Sequence, residues 1–392
     1  MRSCSCPLNG LSYFKGAKPQ AIFHIFAFNN TISHLMKAKS SSTGNIIVLI
    51  TLVIFSACKP SAKIQVLQPA QLTIPDHVQK IILIDRSKPS GGFWSNVESI
   101  FSGEEYQQDK QGRMRALEGL ALILTQTPRF QTISSGVELE GSRGGRNFIS
   151  PLIWSDVESI CRQYNGDAVV SIEMFDSNIS TSTTSRTIKE KDKSGKETTR
   201  IVYDGRKSGT VNLGWRFYDP TTKTILDEYR DSNTDEATST AATTTNQAVS
   251  NLKPSYELVR GIASTLGDKY GKRIAPVYIT LARSYYKTSK GVNKDRFEQA
   301  ARYADAGEWI KAKPIWEKIA GAKSDPETAG KATYNLAVAA EVNGQLNMAL
   351  QFAKDAYTQF NNKPAKSYIK TLENRLADQE ILSRQMHEAK KT

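Results

Sequence analysis

The sequence predicts an α+β protein, a mixed α/β sandwich domain followed by an all-α helical array, and three observations predict it. Between Lys80 and Phe175, apolar β-branched runs alternate with helix-forming segments. From Glu197 to Ser232, three strand candidates follow one another with turn chemistry between them. After Asn293 the strand pattern stops, and two helical segments share one frame of small and bulky residues at an offset of 37 residues.

Ahead of these elements, residues 1–57 read as a signal region. The stretch NIIVLITLVIFSACKPSAK (Asn45 to Lys63) holds ten almost unbroken apolar residues, Ile46 to Phe55, whereas a membrane-spanning helix needs ~20. Lys37 and Lys39 lie upstream, no acid precedes Cys58, and Ser56 and Ala57 close the run, which is the layout of a signal peptide. Met36 opens a signal of ordinary length, so the start is expected there, with residues 1–35 as upstream sequence; an unusually long basic region is the alternative. Phe55-Ser56-Ala57-Cys58 resembles a bacterial lipobox, with Phe55 where leucine is usual. The resemblance implies that Cys58 takes a diacylglyceryl thioether and becomes the first residue of a lipoprotein. Lys59 is not the aspartate that holds such lipoproteins in the inner membrane, so the outer membrane is the expected site.

Without residues 1–57 the chain keeps 335 residues, with 47 Lys and Arg against 39 Asp and Glu, enough for two domains with their own cores. The whole chain carries a formal charge of +13. No basic stripe interleaved with stacking aromatics accompanies that charge, and no nucleic-acid partner is expected.

Residues 58–79 read as a lipidated tether, because Pro60, Pro69 and Pro75 discourage helix. The α/β domain spans 80–286. KIILIDRS (Lys80 to Ser87) is a buried strand, RMRALEGLALILTQ (Arg113 to Gln126) a helix stopped by Pro128, and RFQTIS (Arg129 to Ser134) a second strand before a Gly-rich loop. Ser155 and Glu158 match a capping box for a helix reaching Tyr164, with Asn165-Gly166 as its left-handed stop. DAVVSIEMF (Asp167 to Phe175) is the next strand. ETTRIVYDG, GTVNLGWRFYDP and KTILDEYRDS then form an antiparallel meander turning at Asp219-Pro220-Thr221-Thr222. Ser177 to Glu197 is either a long exposed hairpin or a mobile loop, and Thr234 to Asn251 is too poor in apolar area to order itself. A helix from Pro254 to Tyr270 and a strand from Ala275 to Tyr286 close the domain. The element order is similar to the β-α-β-α-β-β units of envelope proteins such as the amino-terminal domain of the Tol translocation protein and the curli-secretion lipoprotein. No motif is shared with them, so no residue role carries over.

Residues 294–389 form the helical part. ADAGEWIKAKPIWEKIA (Ala304 to Ala320) and AEVNGQLNMALQFAKDA (Ala340 to Ala356) align Gly307 with Gly344, Trp309 with Leu346, and Ala312 with Ala349. This frame resembles tandem tetratricopeptide repeats, with Tyr303 and Trp316 in the first copy and Leu336 and Ala356 in the second at packing positions. Ala337 stands where that family has glycine, and Ala353 where it has a bulky residue. Two such repeats bury little by themselves, so the segment from Lys363 is expected to cap them through Tyr368, Ile369, Leu372 and Leu376, and the front of the array is expected to lean on the α/β domain.

The search for chemistry ends in few candidates. GSRGGR (Gly141 to Arg146) is the best anion-binding loop, with Arg143 and Arg146 as its clamp, but it lacks the spacing and the terminal Lys-Ser/Thr pair of a phosphate-binding P-loop. Cys161 shares a helix face with Val157, Ile160 and Tyr164, which makes it a core residue. His77 and His387 are too far apart for metal-ligand spacing. Glu173 and Asp176 lie three apart with opposite pleat parity, so they need not face one site. FWSNVESIF (Phe93 to Phe101) reads as a helix packed on the sheet or an amphipathic segment. No catalytic residue, metal site or cofactor is expected, and the chain is not expected to be an enzyme. Its layout resembles uncharacterised bacterial envelope lipoprotein families. The expectation is a scaffold or assembly factor holding another envelope protein on its helical repeats, with a small-ligand-binding or enzymatic envelope lipoprotein using the α/β domain as the alternative.

Overall fold

The computed structural model describes residues 61–88, 103–141, 147–191, 194–322 and 324–386, with side chains from residue 108 onward in the second stretch. Cys58, Met36 and the Phe93 to Phe101 segment lie outside the described residues.

The first described element corrects the expected tether. Strand β1 (Ser61–Gln68) pairs antiparallel with β7 (Val277–Ser284), from Ser61 opposite Ser284 to Gln68 opposite Val277. Ala62, Ile64 and Val66 are buried while their neighbours Lys63 and Gln65 face water. This period-two alternation makes a half-buried strand, and the flanking prolines bound it rather than dissolve it.

A five-stranded mixed sheet forms the α/β domain, in the order β3-β2-β4-β5-β6. β2 (Lys80–Lys88) runs parallel to β3 (Gln131–Glu140) on one side and to β4 (Ala168–Lys191) on the other. β5 (Glu197–Asp219) and β6 (Thr224–Ala242) extend it antiparallel. Helices α1 (Gly103–Gln126) and α4 (Ser255–Ile274) cover one face, where Leu120, Leu124, Ile262 and Leu266 pack on Ile81, Val170, Trp215 and Phe217. The two helices cross closely: a methyl on Gly267 would stand 2.0 Å from the Ala116 carbonyl oxygen. Helix α2 (Trp154–Tyr164) covers the opposite face with Val157 and Cys161 on Ile82, Ile84, Val169 and Tyr218. The α+β class and its two parts are as the sequence predicts.

Several local readings change. Ser155 lies inside α2, whose N-cap is Ile153 without a side-chain bond, so no capping box forms; Asn165 does close the helix, at φ 51°. The Gly-rich stretch after Ser134 continues β3 to Glu140. Ser177 to Glu197 is a hairpin, because β4 and β5 pair without interruption from Met174/Gly214 to Lys191/Glu197. The segment from Thr234, expected to lack order, is the end of β6 followed by the short helix α3 (Thr245–Ser250). Pairing with β5 supplies its backbone bonds, and Thr244 caps α3 by accepting from the Gln247 N–H. Local composition missed it because its order is borrowed from a neighbour.

Beyond β7 come α5 (Lys294–Asp305), α6 (Trp309–Ala320), α7 (Pro326–Val342), α8 (Leu346–Thr358) and α9 (Lys363–Gln385). Two helical hairpins result, turning at Gly307 (φ 79°) and Gly344 (φ 74°), a backbone state that favours glycine. Their second helices bury matching positions, Trp309, Ala312 and Trp316 against Leu346, Ala349 and Ala353. On α9, Tyr368 and Leu372 are buried, and Ile369 and Leu376 pack beside them. Ala62 of β1 and Tyr285 belong to this same core, so the array rests on the β1–β7 ribbon.

Candidate functional site

β2 lies between β3 and β4, and its two crossover helices sit on opposite faces of the sheet. The strand order therefore reverses at β2. In open α/β sheets, ligands bind in the crevice beyond the carboxyl ends of the strands at such a reversal.

Charged residues are buried at that edge. Successive side chains of β2 point to opposite faces, so Asp85 and Arg86 serve different partners. Asp85 Oδ2 accepts from Arg113 Nε of α1 at 2.8 Å, and its Oδ1 accepts from the Ser87 N–H (2.9 Å) and hydroxyl (2.5 Å). On the other face, Arg86 Nη1 donates to Glu173 Oε2 at 2.9 Å, Arg216 Nη1 reaches the same oxygen at 3.3 Å, and the Tyr218 hydroxyl donates to Oε1 at 2.8 Å. Glu173 is wholly buried. Burial pushes its carboxyl above the usual range, and Arg86, Tyr218 and Arg216 offset only part of that rise. Burial, then the charge of Glu173, pushes the Tyr218 phenol up to about 12.

The cluster reaches past the sheet. Arg216 also donates to the Ile149 carbonyl (2.7 Å) and to Glu228 (2.6 Å), and Tyr218 accepts from the Leu152 N–H at 3.3 Å. The guanidinium carbons of Arg216 and Arg230 lie 4.7 and 4.6 Å from the centre of the Phe148 ring, within cation–π range. On the near side, the Gly141 N–H donates to the Lys88 carbonyl at 2.7 Å. Both flanks of segment 142–146 are thus fixed at the carboxyl edge of β2 and β3. Arg143 and Arg146, the expected anion clamp, lie outside the described residues.

Other candidates from the sequence are engaged elsewhere. Asp176 accepts from Asn212 at 3.2 Å. Cys161 is a buried free thiol, pushed up to about 11 by burial and then by Asp167 and Asp219. His77 Nε2 lies 3.0 Å from Asp219, whose carboxylate also holds the Thr221 and Thr222 turn. His387 lies outside the described residues. Among the described residues no group of His, Cys, Asp and Glu is placed to hold a metal ion, and no helix is long and apolar enough to cross a membrane. Sequence reading missed Asp85, Arg86, Arg113, Arg216 and Tyr218. For Asp85, Arg86 and Arg216 the one visible signal is charge inside otherwise apolar strands, in KIILIDRS and GWRFYDP.

A second buried glutamate joins the two parts of the molecule. Glu341 of α7 accepts two bonds from Arg283 of β7 (2.8 and 3.1 Å), one from Arg375 of α9 (2.8 Å) and one from the Tyr368 hydroxyl (2.6 Å). Nearby, Asn335 bonds both backbone groups of Tyr286, and Gln385 at the end of α9 bonds the backbone of Ala70 and Leu72.

No curated protein matches the chain. Among solved structures it is similar to the PelC dodecamer from Paraburkholderia phytofirmans, at 10% identity and a TM-score of 0.20 over 55% of this chain and 98% of that one. It is also similar to a putative neuraminyllactose-binding hemagglutinin homolog from Helicobacter pylori, at 13% identity and a TM-score of 0.22 over 51% of this chain and 82% of that one. Likenesses of this size carry no conclusion about the present chain. A domain of unknown function, DUF6340, matches residues 298–374, within the helical part. A second domain of unknown function, DUF8603, matches residues 78–286, more than half of the sequence, and the chain belongs to that family.

Proposed function

We propose that this is a lipid-anchored protein of the cell envelope, attached through Cys58 to the outer membrane, that acts as a non-enzymatic scaffold or assembly factor. Its helical hairpins, taken as tetratricopeptide-like repeats, hold another envelope protein. The observation that carries this reading is the fixed seating of the array: Glu341, Asn335 and Gln385 bind it to the β1–β7 ribbon and to the approach to β2. A partner seated on the helices is then presented in one orientation relative to the α/β domain. The equal turn geometry at Gly307 and Gly344 and the matched buried positions of α6 and α8 support the repeat assignment.

A photo-crosslinking residue at Met348, exposed on α8, tests the reading in intact membranes against the same probe at Thr198 in the β4–β5 hairpin. Met348 is expected to capture one envelope protein repeatedly. Capture from Thr198 alone, or from neither position, removes the scaffold reading. The alternative, a small-ligand-binding envelope lipoprotein, is favoured by one observation: the fixed flanks of segment 142–146 stand at the strand-order reversal.

A further inference from the structure

The lipid anchor and the ribbon lie close together in sequence. Cys58 precedes Ser61 by three residues, and an extended chain spans at most about 3.3–3.6 Å per residue. The backbone of Cys58 is therefore held within about 10–11 Å of the Ser61/Ser284 end of the β1–β7 ribbon.

That end of the ribbon adjoins the array. Ala62 enters the array core, and Tyr285, the residue after Ser284, packs edge-on against Trp309 with ring centres 5.3 Å apart. The next residue, Ile310, is 79% exposed, a large apolar side chain left in water at the start of α6. Lys63, on the outer side of β1, and Lys287, whose ammonium pairs with Asp305 at 2.7 Å, are exposed near the same end of the ribbon. An exposed apolar side chain at the same end of the molecule as long cationic side chains suits the boundary between headgroups and acyl chains.

The other end of the molecule points elsewhere. The Leu72 N–H donates to the Arg273 carbonyl, so the Gln68/Val277 end of the ribbon meets the carboxyl end of α4. The amino end of α4 lies beside β5, where Lys207 Nζ donates to the Lys253 carbonyl at 2.8 Å. A helix of 20 residues spans about 30 Å, and from its far end the β4–β5 hairpin continues outward to Lys191 and Glu197.

We infer that the Trp309 and Ile310 corner of the array, with the Ser61/Ser284 end of the ribbon, rests on the phospholipid surface, and that the β4–β5 hairpin points away from it. This orientation rests on the proposed lipidation of Cys58. The occupant follows from the short length of chain between the anchor and β1, which leaves this corner no room to stand off the bilayer.

The test uses the full lipidated protein in phospholipid vesicles containing a nitroxide-labelled lipid. A fluorophore is attached to Ile310→Cys or to Thr198→Cys; Glu308→Cys serves as a second array position, and buried Cys161 is left in place. Loss of fluorescence is expected at positions 310 and 308, and none at 198. A Gly/Ser insertion of about 20 residues between Pro60 and Ser61 raises the anchor's reach several-fold and is expected to abolish the loss. Equal quenching at 310 and 198, with fatty-acid labelling of Cys58 intact, overturns the orientation alone. Absence of fatty acid on Cys58, checked against Cys58→Ala, overturns the anchor and the orientation together.

Discussion

Glu173 and Glu341 have nearly the same company, two arginines and a tyrosine hydroxyl, yet they hold different things together. Around Glu173 every partner belongs to one sheet, on β2 and β5. Around Glu341 the partners come from β7 and α9, so one carboxylate ties the ribbon to α7, which carries it, and to α9. Burying ion pairs gives little net stability, whereas removing one partner leaves uncompensated charge and costs about 3–5 kcal/mol. The contrast teaches that such a cluster acts as a lock on geometry. One lock sets the far flank of segment 142–146, and the other sets the angle between two parts of the protein.

The largest expected effect comes from breaking the second lock. Glu341→Gln leaves Arg283 and Arg375 without their carboxylate and is expected to cost about 3 kcal/mol in urea unfolding. Limited proteolysis should then cut between β7 and α5 first; unchanged cutting would show that apolar contacts alone seat the array.

Glu173→Gln should cost less, about 1–2 kcal/mol at neutral pH, because the environment already opposes the charge there. Its raised pKa fixes the sign of the pH dependence. The folded state holds the proton more tightly than the unfolded chain, so this group favours folding below the ordinary glutamate range of about 4.3, and that advantage is lost as pH rises through the folded pKa. The stability gap between the native protein and Glu173→Gln should accordingly widen as the pH falls from 7 toward 4. A gap that narrows would place the arginines, rather than burial, in control of Glu173.

The smallest changes sharpen the comparison. Tyr218→Phe and Tyr368→Phe each remove one hydroxyl donor from a buried carboxylate and should cost about 1–2 kcal/mol. Tyr218→Phe also deprives the Leu152 N–H of its acceptor, so amide exchange at Leu152 should quicken while the array is unaffected. Equal exchange in both variants would deny the two clusters separate territories.

Legibility in the sequence followed the range of the interactions. β2, α2, α4 and the paired frame of Gly307 and Gly344 were readable, because apolar periodicity and turn residues are local properties. β1 was read as a tether although Ala62, Ile64 and Val66 alternate with polar residues; three prolines outweighed a short signal. The β6 end and α3 were missed because their order depends on β5, whose pairing residues lie 24 (Thr210/Thr234) to 39 (Tyr203/Ala242) positions away. The Glu173 cluster was illegible for the same reason: Arg86 and Tyr218 lie 87 and 45 residues from it, and no spacing rule links them.

The bonds from Gln385 to the backbone of Ala70 and Leu72 set an order of events. A chain made amino end first carries β1 unpaired until β7 exists, and the Ala70 groups unmet until α9 is complete, 315 residues later. Contacts of that separation close last, after the loop entropy between them has been met by everything that folds in the interval. The sheet and the hairpins can assemble as they emerge, and the joint between them is expected to close last.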